Sequence, residues 1–152
     1  MFLKGYLIAS ALALAISFGL FLLGFPLDIA FTIAVVIGLG LSLFLGAFLI
    51  RIFTKPLADE LGAEPSGLTN GGLYIGYLER ALIMLLVLMG EPTGVGFLIA
   101  AKSILRFGEV KEIGQRKMSE YIIIGTFFSF GWGLFIALLT QVMIEALSMA
   151  LR

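Results

Sequence analysis

The sequence contains no cysteine and no histidine. Without cysteine there is no disulfide, thiolate nucleophile or thiolate metal site. Without histidine the chain lacks the commonest general base and the commonest metal ligand near neutral pH. Charge is also scarce: only 13% of the 152 residues are Asp, Glu, Lys or Arg, against about 25% in average soluble domains. Ten basic and ten acidic residues cancel to a formal net charge of zero, so no basic excess points to nucleic acid. A hard-cation site built from carboxylates alone remains open, but the acidic residues are scattered along the chain. No cofactor is implied.

What the chain has in abundance is apolar surface. Hydrophobic residues make up 61% of it, and the mean hydropathy is +1.13. A soluble domain of this size must expose a large share of its residues to water and could not hide so much. A bilayer removes that constraint. The expected fold is all-α, an integral membrane helix bundle of about five apolar helices over 2–23, 28–53, 72–89, 94–107 and 120–147, forming a single domain from 1 to 152. The opening run could be a signal peptide, with Lys4 as its charged region and Ala11, Ala13 and Ala15 near a cleavage site. Its apolar stretch from Gly5 to Leu23 is about 19 residues, longer than a signal core and suited to a spanning helix of ~20. It is therefore read as a retained helix.

The punctuation between these segments is clear. Asp28 is placed to cap the second helix. Pro56, Pro65, Asn70 and Gly71 mark a first polar stretch over 54–71, with Asp59, Glu60 and Glu64 facing water on a short interfacial helix. Gly90, Glu91, Pro92 and Thr93 form a tight turn between the third and fourth helices. A second polar stretch covers 108–119, and Ser119 is placed to cap the fifth helix. Gln141 and Glu145 near the end of that helix suggest turns that leave the membrane or line a wetter interior. The basic residues Lys4, Arg51, Lys55, Arg106, Lys111, Arg116 and Lys117 fall on one side of a five-helix arrangement. By the positive-inside rule that side, with the N-terminus, is cytoplasmic, and the C-terminus lies outside the cytoplasmic (inner) membrane. A re-entrant hairpin of the third and fourth helices would leave this sidedness unchanged.

Small residues recur four apart. The second helix carries Ala30, Ala34, Gly38, Ser42 and Gly46; the fifth carries Gly125, Ser129, Gly133 and Ala137. The first has Ala11, Ala15 and Gly19, and the third opens with Gly72 and Gly76. Such ridges let helix backbones approach closely in lipid, where little hydrophobic force drives helices together. They fit packing within the bundle, or a homo-oligomer in which the ridge of the second helix meets a second copy.

Charge inside apolar helices is the sharper signal. Glu79 and Arg80 sit within the third helix, Lys102 and Arg106 within the fourth, and Glu109 just beyond it. Counted from the turn at ~1.5 Å per residue, Glu79 lies about 18 Å deep, between Lys102 at about 15 Å and Arg106 at about 21 Å. An ion pair across the hairpin is expected, with Arg80 reaching Glu109 or a lipid phosphate. Intramembrane charges are costly, and they pair or line polar cavities. Snorkelling of Lys102 and Arg106 to anionic headgroups and a structural clip are the plainer readings. The fourth helix, at ~21 Å, is short of a ~30 Å hydrocarbon core, so the hairpin is shallow, re-entrant or set in a thinned bilayer.

The runs I-G-x-L-E-R (Ile75 to Arg80), G-F-L-I-A-A-K-S-I-L-R-F-G-E (Gly96 to Glu109) and S-E-Y-I-I-I-G-T (Ser119 to Thr126) resemble the C-terminal half of an uncharacterised bacterial family of multi-pass membrane proteins, a domain of unknown function. The resemblance covers about a third of the chain and implies a membrane helix fold, with no mechanism attached. The N-terminal half has no counterpart of that family's His- and Asp-bearing first helix.

Three functions are consistent with the residues. The first is a non-enzymatic scaffold or subunit of a membrane assembly, joined to other membrane proteins or to its own copies. The second is an oligomeric channel or transporter for a small ion or solute, with Glu79, Lys102 and Arg106 on the path. The third is an enzyme acting on a lipid headgroup, for which no paired acidic motif, P-loop or nucleophile elbow is present.

Overall fold

The computed structural model describes residues 29–61, 70–107 and 116–150, which are helical apart from Asn70 and the turn at 89–92. No strand occurs among the described residues. In chain order the helices are α1 (Ile29–Gly40), a π-helical turn (Leu41–Leu45), α2 (Gly46–Leu61), α3 (Gly71–Leu88), α4 (Thr93–Phe107) and α5 (Arg116–Ala150). The first expected helix, Asp28, Glu64, Lys111 and Glu109 lie outside the described residues. Three helices are long and apolar enough to cross a membrane: Phe31–Leu61, Gly71–Leu88 and Lys117–Ala146. The apolar stretch of α4 is shorter, Thr93–Ile104.

Several boundaries differ from the sequence reading. The second expected helix does not stop at residue 53: α1, the π turn and α2 run on as one rod to Leu61, with Pro56 inside it. Proline removes the N–H that would bond back to Ile52. That turn is exposed, so outside donors can reach the freed carbonyl. Asp59 and Glu60 are exposed on the tail of this rod rather than on a separate interfacial helix. Ser119 is not the cap of the last helix, because α5 already includes Arg116, Lys117 and Met118, all good helix formers. At the far end, Gln141 donates to Glu145 one turn on, and α5 continues to Ala150.

The α3–α4 turn closes by backbone geometry. Gly90 adopts φ +77°, its N–H bonds Val87 O at 3.0 Å, and Glu91 N–H reaches Leu86 O at 2.8 Å. This is a Schellman ending, which needs a left-handed residue after the helix and favours glycine there. Asn70 enters α3 with φ 74°, a conformation asparagine tolerates better than most residues.

The α1–α2 rod packs antiparallel to α5. Gly38 meets Thr140, Gly46 meets Trp132, and Thr54 lies against Gly125, so each step of about two turns on one helix retraces two turns on the other. Phe53 and Phe128 stack at 4.6 Å between centroids near one end of this seam. Ala34, Gly38, Ser42 and Gly46 are all buried, as are Ser129, Gly133 and Ala137. From Ala34 to Gly46 the ridge of the second expected helix is thus packed inside the bundle. The ridge on α3 is only partly used: Gly76 backs onto Arg80, whereas Gly72 is exposed. Val35, Leu39, Leu43, Ile83, Met84 and Ile136 fill the centre between the three long helices.

Candidate functional site

The charged residues of α3 are buried near the middle of the bundle. Arg80 is 2% exposed and Glu79 8%. They are neighbours in sequence, so on a helix their side chains leave about 100° apart. Glu79 turns towards α4, where Lys102 Nζ lies 2.7 Å from Oε1 and 2.8 Å from Oε2. The ammonium also sits 5.7 Å from the centroid of the Phe130 ring. The register of the hairpin, fixed by its tight turn, brings these opposite charges level.

Arg80 turns the other way. It does not reach lipid phosphate, because its side chain is sealed between α3, α5 and the α1–α2 rod; Glu109, its other expected partner, lies outside the described residues. Its Nη1 donates to Ser129 Oγ at 2.7 Å, and its Nη2 to Leu43 O at 3.3 Å. The guanidinium carbon lies 5.7 Å from the Tyr77 ring centroid. Glycines make the space: a Cβ on Gly46 would sit 3.3 Å from Nε, one on Gly76 3.3 Å from Nη1, and one on Gly133 3.1 Å from Cγ. The Nε has no hydrogen-bond partner, and neither does the buried Ser42 hydroxyl. Thr54, Thr140 and Ser103 bond back to the carbonyls four residues before them.

Leu43 O can accept from a side chain because the helix is distorted there. Within the π turn, Gly46 N–H reaches back to Leu41 O as well as to Leu43 O. The wider turn turns carbonyls away from the regular ladder, a distortion found often at functional sites. Trp132 uses the second opening, its Nε1 donating to Leu41 O at 3.3 Å. One local irregularity thus supplies acceptors to a buried arginine and a tryptophan from two other helices.

Glu79, Lys102, Arg80, Ser129 and the Leu43 carbonyl thus form one connected layer across the bundle. Its described side chains hold two cations and one carboxylate, and among the described residues no carboxylate lies within ion-pair distance of Arg80. Arg106 is on α4, its side chain outside the described set. No group of three acidic side chains that could hold a metal gathers among the described residues. Sequence reasoning missed the Leu43 and Leu41 carbonyls and Trp132 as parts of the site. Ser129, assigned to packing, is also a hydrogen-bond acceptor; a hydroxyl in the middle of a small-residue ridge was the available signal.

No family model matches the chain, and no curated protein or solved structure is significantly similar to it.

Proposed function

We propose that this chain is a non-enzymatic integral membrane protein that serves as a scaffold or subunit of a membrane assembly. Its intramembrane charges tie helices together and do not line a path. The observation that carries this reading is the closure of the charge layer: Glu79 is engaged by Lys102 through both oxygens, and Arg80 is enclosed by glycine surfaces and hydrogen-bonded to neutral acceptors. Side chains that move ions need open access at their heads, whereas a carboxylate and an ammonium held on each other fix helix register. On this reading the run 2–23 adds a further membrane helix, the α3–α4 hairpin is short or re-entrant, and the polar stretches and N-terminus face the cytoplasm. The resemblance over 75–129 to a bacterial multi-pass family is consistent with this arrangement and adds no mechanism.

The competing reading is conduction. It is tested by loading the purified protein into liposomes and following the flux of potassium, protons and chloride. A scaffold gives background flux. Flux above background that falls when Glu79→Gln or Lys102→Met is introduced would replace it with a channel or transporter.

A further inference from the structure

We infer that the charged end of the α1–α2 rod binds the headgroup of a phospholipid that carries a free ammonium, of the phosphoethanolamine class. The site lies on the outer face of the rod and does not depend on whether the bundle conducts. From Ile29 to Ile50 the rod has no charged residue. As a helix that stretch spans ~33 Å, enough for a ~30 Å hydrocarbon core. Arg51 therefore falls where the rod leaves the hydrocarbon. Phe48, Arg51, Ile52, Lys55 and Asp59 recur three or four apart and share one face. All of them are exposed, Phe48 at 60% and Ile52 at 56%. Thr54, buried against Gly125 of α5, leaves the rod about 120° away from this stripe, so α5 does not cover it.

The chemistry along the stripe follows the order of groups in such a lipid. The side chains of Phe48 and Ile52 are apolar and suit the acyl chains. Arg51 and Lys55 come next, cations one turn apart, and suit the phosphate. Neither is ion-paired to another described residue, and nor is Asp59. Pro56 has no N–H, so the Ile52 carbonyl has lost its helical donor. A helical carbonyl points towards the residues three and four further on, which puts this one beside Lys55. Asp59 lies one turn past Lys55, ~6 Å further from the hydrocarbon. A carbonyl and a carboxylate both accept hydrogen bonds. A headgroup with an ammonium outside its phosphate therefore satisfies the cations and the acceptors together. A trimethylammonium has no N–H to give them, and a headgroup that is only anionic meets Asp59 as a like charge.

The test is native mass spectrometry of the full chain in detergent, with equal amounts of phosphatidylethanolamine and phosphatidylcholine of identical acyl chains. Phosphatidylethanolamine is expected to be retained at least ~5-fold over phosphatidylcholine, the worth of one typical hydrogen bond. Pro56→Ala returns an N–H to the Ile52 carbonyl and is expected to cut the preference to ~2-fold or less, as is Asp59→Asn. Arg51→Gln combined with Lys55→Gln is expected to weaken retention of both lipids, because the phosphate is common to them. The ratio of lipids within one sample does not depend on how much of a variant folds. Equal retention of the two lipids by the native chain overturns the inference. So does a preference that survives Pro56→Ala and Asp59→Asn unchanged. Retention of phosphatidylglycerol above phosphatidylethanolamine in a matched mixture also overturns it, because bare charge attraction then accounts for the binding.

Discussion

Arg80 shows how a charge can be kept inside a helix bundle with no carboxylate within ion-pair distance among the described residues. The side chain is long, and its donors are fixed in a planar fork. Ser129 and a backbone carbonyl take two of the donor positions, and three glycines leave room for the stem and head. Ser129→Ala leaves a buried donor without an acceptor and is expected to destabilise the protein by about 1–3 kcal/mol, measured by denaturant titration in detergent. Glycine substitutions test the packing independently. At Gly46 a methyl group would lie 2.6 Å from Trp132 Cδ1, so Gly46→Ala is expected to cost about 1–3 kcal/mol. At Gly40 a methyl meets nothing within 4 Å, so Gly40→Ala is expected to be neutral or stabilising by up to about 1 kcal/mol. Equal effects at the two positions would contradict the arrangement around Arg80.

At the scale of elements, the π turn decides how one helix serves two neighbours. The rod presents Gly38 to Thr140 on one side of the turn and Thr54 to Gly125 on the other, and between them it offers carbonyls to Arg80 and Trp132. Deleting Leu41 is expected to close the segment into a regular helix and rotate what precedes it by about 100°. Because the chain has no cysteine, cross-links report this cleanly. The pairs Gly38→Cys with Thr140→Cys and Thr54→Cys with Gly125→Cys are both expected to form in the otherwise native chain. In the deletion variant only the second should survive. The small-residue periodicity foretold that these faces would meet, since residues four apart share a face. It could not foretell the π turn, whose carbonyls at Leu41 and Leu43 accept from side chains far away in the sequence. Pro56 misled for a related reason: proline reads as a breaker, but an exposed turn can accommodate the carbonyl it frees.

For the whole molecule, hydropathy and the hairpin count carried the all-helical architecture, and the depth count placed Glu79 level with Lys102. They could not say which way Arg80 turns. A residue's azimuth matters as much as its depth, and neighbours in sequence diverge by a quarter turn or more on a helix. Sidedness is a further property of the whole chain. If the polar stretches face the cytoplasm, Asp59→Cys is labelled by a membrane-impermeant maleimide only after permeabilisation, and Met149→Cys, exposed beyond the last apolar span, is labelled in intact cells. The reverse pattern would invert the topology.

A closed, structural charge layer is tested most directly by measuring flux and unfolding together on Glu79→Gln in liposomes. Removing one partner of a half-buried pair is expected to destabilise the fold by about 1–3 kcal/mol, while flux stays at the background seen for the native chain. Flux through the native chain that Glu79→Gln abolishes with stability unchanged would contradict it.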